Sequence, residues 1–131
     1  MKTYNYDVYC NKNLSTFLTE RVTAVCGKKI GIGNNLLKAL NLTEKPMGTA
    51  AHHIVAGGSK YAKETRMILA KFKIGINDAA NGVFLDTAKH LGLHTKEYYG
   101  KVHKALEKAT TREAVIDTLN TIAKKLMEGT F

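Results

Sequence analysis

Four of the five histidines fall within one stretch of the chain, as His52, His53, His90 and His94. Imidazole is the side chain that can both bind a transition metal and accept a proton near neutral pH. Hydrolysis of a phosphodiester needs both services. A base must take a proton from water, and a cation must hold the phosphate and offset the charge that grows on the leaving oxygen. Successive residues of a strand point to opposite faces. An adjacent pair such as His52-His53, on a bent strand, can therefore give one imidazole to a metal and the other to a water. A base so close to a cation stays neutral, which is the form that accepts a proton. His90 and His94 are four apart, and on one helix they would lie one above the other and share an ion. With His52 they make a three-histidine set that leaves coordination positions open, as catalytic rather than structural metals require. Asn81 precedes Gly82 and an apolar run. Its amide can bridge two loop segments, or it can accept the proton of one imidazole nitrogen and so aim the other nitrogen of His53.

These residues need elements to carry them. Thr49 to Val55 reads as a short strand, followed by the flexible Gly57-Gly58-Ser59, and Val83-Phe84-Leu85 reads as a second strand. Residues 75 to 82 form a turn-rich loop, in which Asp78 is a turn residue. From Ala88 to about Ala109 the spacing is helical, with Leu91, His94, Tyr98, Val102, Ala105 and Leu106 on an inward stripe. Gly92 and Gly100 weaken that helix by roughly 1 kcal/mol each relative to alanine, so a break is open there. A helix starting only at Thr95 would separate the two histidines. His103, on the same pattern, is read as non-catalytic, and Tyr98 and Tyr99 as core and rim packing.

Between the two halves lies an amphipathic helix, Tyr61 to Phe72. Its expected apolar face is Tyr61, Met67, Ile68 and Phe72, with Lys60, Lys63, Arg66 and Lys71 on the other side. Those four cations are candidates to hold a nucleic-acid backbone, Arg66 first because its fork suits phosphate. Thr110-Thr111-Arg112-Glu113 is a capping box with Thr110 as cap, opening a C-terminal helix over 111–128. Its seam is Val115, Leu119, Ile122 and Leu126. Ahead of the histidines, helices are expected across 13–40. The first carries Leu14, Phe17, Leu18, Val22 and Val25 and stops at Gly27; the second is capped by Asn34 or Asn35 and carries Leu36, Leu37 and Leu40. Residues 1–12 read as an extended arm or a poorly ordered end. The expected fold class is α+β, mostly helical, in one domain spanning 1–131.

Composition bounds the partners. Twenty Lys+Arg against eleven Asp+Glu give a net charge of +9 over 131 residues. That balance suits a polyanion, because each phosphate neutralised releases a counterion. Arginine occurs only as Arg21, Arg66 and Arg112, and lysine grips phosphate as a point charge, so base-specific readout is not expected. Cys10 and Cys26 make no disulfide framework and no Cys-x-x-Cys. No apolar run is long enough to span a bilayer, and Met1-Lys2-Thr3-Tyr4-Asn5-Tyr6-Asp7 does not read as a signal peptide.

Ala51-His52-His53, Asn81-Gly82-Val83, His90-x-x-x-His94 and Tyr98-Tyr99-x-x-Val102, taken together, resemble the AHH family of bacterial toxin nucleases, within the HNH or ββα-metal endonuclease superfamily. The run from Asn81 to His94 also resembles the end of the nuclease motif of DNase colicins. The resemblance covers about residues 48–103. It implies a ββα-metal core, surrounded here by helices. It implies His53 as general base and Asn81 as the residue that orients it. His52, His90 and His94 become ligands to one divalent cation, whether Mg²⁺, Mn²⁺, Ni²⁺ or Zn²⁺. It implies DNA cleavage with little sequence preference, a place as the toxic or effector module of a secreted polymorphic toxin acting in a target cell's cytoplasm, and an immunity protein as partner, acidic to match the charge here. Ala56 and Asp86 stand where proline is frequent in the family. The alternatives are a nuclease acting on RNA, and a non-catalytic basic nucleic-acid-binding module with a structural zinc site.

Overall fold

The computed structural model describes residues 31–131; the helix expected over 14–27 and both cysteines lie outside the described residues. A helix, α1 (Ile32–Leu40), leads into strand β1 (Thr49–His53). A 3-10 turn at Lys60–Ala62 runs into α2 (Lys63–Lys71), and a second at Ala79–Asn81 runs into strand β2 (Gly82–Asp86). Then come a five-residue helix α3 (Thr87–Leu91), α4 (Lys96–Leu106) and α5 (Arg112–Glu128). The architecture is the expected mostly helical α+β fold. β1 and β2 form an antiparallel two-stranded sheet in which His52 faces Val83 and His53 faces Gly82.

One apolar cluster supports the sheet and the helices beyond it. It joins Ile54 and Val55 just after β1, Leu69 of α2, Val83 and Leu85 of β2, Tyr98, Val102 and Leu106 of α4, and Val115, Leu119, Ile122 and Leu126 of α5. The four α5 residues are the seam that the spacing predicts, and all four are buried. The cap is Thr111 rather than Thr110: its side chain accepts from the Ala114 N–H, and Glu113 sits one position earlier in the first turn. A smaller cluster of Ile32, Leu36 and Ala79 packs α1 against the sheet.

Two helices depart in part from expectation, although Ile68 and Phe72 of α2 pack against the main cluster and Leu36 of α1 is buried as predicted. In α2 and its leading turn, Ala62, Thr65 and Leu69 point inward, while Tyr61 and Met67 are exposed. Small Ala62 and hydroxyl-bearing Thr65 take the inner row because α4 packs closely there, with Thr65 Oγ1 3.0 Å from His103 Nδ1. In α1, Gly31 is the cap and Asn35 lies inside the helix, fully buried, so neither Asn34 nor Asn35 caps it. Gly82 explains how α1 lies so close. A Cβ there would sit 2.7 Å from Cγ1 of Ile32 and 3.0 Å from Cδ1 of Leu36. The Asn-Gly pair thus marks a tight helix–strand contact as well as a turn.

Candidate active site and metal centre

His52 sits mid-sheet on β1 and is 1 % exposed. Its Nε2 lies 2.9 Å from the hydroxyl of Tyr98. That hydroxyl has one proton, and it donates it to the Ile54 carbonyl at 2.8 Å. The hydroxyl must therefore accept from His52, so Nε2 carries the hydrogen and Nδ1 presents a bare lone pair. His52 Nδ1 faces His90 Nδ1 at 3.1 Å. The ring of His94 is centred 5.0 Å from that of His90 and 6.0 Å from that of His52. Its Nδ1 is 3.2 Å from the Tyr99 hydroxyl.

One nitrogen from each of His52, His90 and His94 falls within 4.8 Å of the others. Two nitrogens bound to one ion at about 2.0–2.1 Å stand about 2.9–3.4 Å apart, depending on the angle at the metal. The 3.1 Å between His52 and His90 lies inside that window. Metal binding also needs neutral imidazoles. Burial, followed by the charges His90 and His94 would carry, lowers the pKa of His52 to about 3. Burial and then His94 lower that of His90 as well. The donor set fits a divalent cation.

The two ring-bearing elements differ from expectation. His90 lies in α3, whereas His94 lies in the connection before α4, whose cap is Thr95. Gly92 ends α3, so the predicted single helix is broken, and the i, i+4 stacking that was to bring the pair together does not exist. The turn through Gly92 and Leu93 brings the rings together instead. Leu91 and His94 are exposed and do not belong to an inward stripe.

His53 is the last paired residue of β1, where the chain bends at Ile54 and Val55. The bend lets both neighbouring imidazoles reach the same cleft of about 230 Å³, lined also by His90, His94, Tyr99 and the loop Ala56–Ser59. The contact expected from Asn81 to the ring of His53 is absent. Asn81 is fully buried and its amide bridges two loop segments: Oδ1 accepts from the Val55 N–H at 2.8 Å, and Nδ2 donates to the carbonyls of Val55 and Ile76. Both polar atoms of that amide are bonded to backbone, and neither contacts an imidazole. The ring of His53 is held by Asn77, whose Oδ1 is 2.7 Å from Nε2.

The family sequence pattern described as a nuclease family of the HNH/ENDO VII superfamily with conserved AHH matches residues 34–126. The chain belongs to the AHH nuclease family. No curated protein and no solved structure matches it. The match takes in most of α1 and of α5 and so reaches well beyond residues 48–103, where the motifs themselves lie.

Other residues of this HNH-type endonuclease fall into place around the cleft. Arg66 has a role that its charge alone does not suggest: its Nη1 donates to the carbonyls of Ala56 (2.9 Å) and Ser59 (2.8 Å), fixing the loop that walls the cleft. Lys60, Lys63 and Lys71 remain exposed. Lys60 and Lys96 both lie over the ring of half-exposed Tyr61, at 5.2 and 5.7 Å from its centre. Asp78 acts as the expected turn residue, accepting from the Gly75 N–H at 2.9 Å. His103 stands apart from the cleft, bonded to Thr65. Asn77, Tyr98 and Tyr99 are the site residues that sequence reasoning missed as such. The two tyrosines fall within the resembling motifs, but nothing in the spacing says that their hydroxyls reach back to the histidines. Asn77 carries no signal beyond its place in a turn-rich loop.

Proposed function

We propose that this nuclease is a metal-dependent endonuclease that cuts DNA with little sequence preference, serving as a toxin or effector module. The observation that carries the reading is the convergence of His52, His90 and His94 beside His53 on one cleft. His52, His90 and His94 would hold the cation, and His53 would take the proton from the attacking water. Bound there, a divalent cation supplies Lewis-acid stabilisation of charge on the phosphate and the leaving oxygen. The chain's own contribution is placement. Tyr98 fixes the tautomer of His52, Tyr99 contacts His94, and Asn81 ties the end of β1 to the start of β2. Lys60 and Lys96, beside Tyr61, and exposed Lys63 and Lys71 supply a positive rim for a phosphate backbone. The sequence carries only three arginines among its twenty Lys+Arg, which supports weak sequence preference. An acidic immunity protein would complement the net charge of +9. Delivery to a target cell's cytoplasm follows the same family expectation.

The test is a nicking assay on supercoiled plasmid and on structured RNA, with EDTA and with Mg²⁺, Mn²⁺, Ni²⁺ or Zn²⁺ added back. Cleavage of plasmid that EDTA abolishes and a divalent ion restores is the expected result. Cleavage confined to RNA would change the substrate, and cleavage indifferent to EDTA would remove the cation. A structural zinc site predicts instead that chelation unfolds the domain.

A further inference from the structure

We propose that Asn77 is the positioning residue for His53, and that Asn35 on α1 holds Asn77 in place. The proposal rests on His53 acting as base, as read above. An amide oxygen has no hydrogen to give, so the 2.7 Å contact of Asn77 Oδ1 with Nε2 puts the imidazole hydrogen on Nε2. Nδ1 of His53 is then the bare nitrogen, and a neutral imidazole can take a proton from water only there. A hydrogen on Nδ1 instead would leave the bare nitrogen turned to the Asn77 oxygen.

Asn77 needs an anchor of its own, because it sits in an irregular loop between α2 and the turn at Ala79–Asn81. The anchor is Asn35. Its Nδ2 donates to the backbone carbonyl of Asn77 at 2.6 Å, and its own side chain is buried in α1. Packing of Ile32 and Leu36 against Gly82 seats that helix. The contacts run from the tight helix–strand seat, through Asn35 and the Asn77 loop, to the ring of His53. Asn35 and Asn77 therefore act through His53 and touch no substrate. The same logic holds the neighbouring ligand, where the Tyr98 hydroxyl keeps the hydrogen of His52 on Nε2. Two adjacent imidazoles are thus locked in one tautomer by two unrelated side chains.

The decisive measurement is the tautomer of His53, read from long-range ¹⁵N–¹H imidazole couplings in metal-free protein at mildly alkaline pH. Wild type should show the Nε2–H form. Asn77→Ala should shift His53 toward a mixture of tautomers and lower the cleavage rate at saturating DNA by about 10- to 100-fold, with affinity of the three-histidine set for Ni²⁺ or Zn²⁺ unchanged within about twofold. Asn77→Asp, which still accepts from Nε2–H, should restore the tautomer. Asn35→Ala should give a smaller shift in the same direction. If Asn77→Ala does not fold, Asn77→Leu keeps the branched shape of the side chain and has no acceptor. An Nδ1–H form in wild type, or an Nε2–H form that persists in Asn77→Ala and Asn77→Leu, would overturn the proposal. The tautomer is readable whether or not DNA is cut. A protein that cleaves nothing would therefore defeat the nuclease reading and leave this one to be decided by the spectra.

Discussion

The two sides of the histidine cluster are built differently. His52 is on a paired strand, buried, with its ring locked by Tyr98. His90 and His94 come from a five-residue helix with no buried residue and from the exposed connection after it. α3 is tied down by polar contacts at its start and middle, Thr87 Oγ1 to the Gly48 carbonyl at 3.2 Å and Lys89 Nζ to the Met127 carbonyl at 3.2 Å. One side is part of the fold and the other rests on it. A segment with few apolar contacts opens at low free-energy cost. On the proposed reading, the division sets two adjustable ligand candidates, His90 and His94, against a fixed one, His52, that adjoins the proposed base.

The largest effect should come from the fixed side. His53→Ala removes the proposed proton acceptor while the three ligand candidates stay. Plasmid cleavage should fall by about 10²- to 10⁴-fold. Metal affinity should stay within a few-fold of wild type, and thermal stability should be little changed because His53 is half-exposed. A variant that still nicks plasmid at the wild-type rate would take the base role away from His53.

Next in size is the contrast among the ligands. All three alanine variants should lose cation affinity, measured by calorimetric titration with Zn²⁺ or Ni²⁺. Only His52→Ala should also lower the stability of the metal-free protein, by about 2–4 kcal/mol, since it opens a cavity and strips a buried hydrogen bond. His90→Ala and His94→Ala should change metal-free stability by less than about 1 kcal/mol. Equal stability losses in all three would erase the division between a fixed and an adjustable side.

The division also carries a pH signature. His52 has a folded pKa of about 3 against an ordinary 6.5. Between those values the unfolded chain binds the proton and the folded chain does not, so stability rises with pH there. No penalty from this group is felt above pH 6.5, and the penalty grows as the pH falls toward 3. The lowered pKa of His90 acts in the same direction. Urea denaturation of EDTA-treated protein at neutral and mildly acidic pH should show wild type losing stability faster than His52→Asn. The comparison with the variant removes the carboxylates that titrate in the same range. Parallel losses in the two proteins would show that His52 is not held neutral by its surroundings.

Legibility in the sequence followed the same division. The seam of α5 and the strand pair could be read because periodic burial repeats over many residues and one slip would expose all of it. His52 and His53 could be found from their adjacency on a strand. The relation of His90 to His94 was read through the wrong geometry: the spacing of four suggested one helix, and Gly92 breaks it. The rings still meet, because the turn supplies the approach that the helix was expected to give. Asn81 was legible as a position and not as a contact, since both of its offered roles need the same amide and only the folded loop decides which neighbour is in reach. The inner face of α2 was misread because size, not hydrophobicity, selects Ala62 and Thr65 for close packing on α4. Asn35 and Asn77 were out of reach altogether. A hydrogen bond across 42 residues between an asparagine in a helix and a loop carbonyl leaves no local pattern.

The smallest effect should come from the rim. Lys60 and Lys96 flank Tyr61, one next to the loop that walls the cleft and the other two residues after His94. Such ammonium groups contribute to DNA affinity by releasing counterions and do not contact the reacting atoms. Lys60→Ala and Lys96→Ala should each weaken DNA binding by a few-fold at low salt, without regard to sequence, and lower the slope of log affinity against log salt by about 1. Cleavage at saturating DNA should be unchanged, because His53 and the three ligands keep their places. Arg66→Lys gives the opposite pattern to look for. It keeps the charge but loses the guanidinium that bridges the Ala56 and Ser59 carbonyls. The salt slope should then be preserved while the saturating rate falls by a few-fold, as the wall of the cleft loosens. A salt slope that drops with Arg66→Lys and not with the lysine variants would move the DNA contact from the exposed rim to the loop clamp.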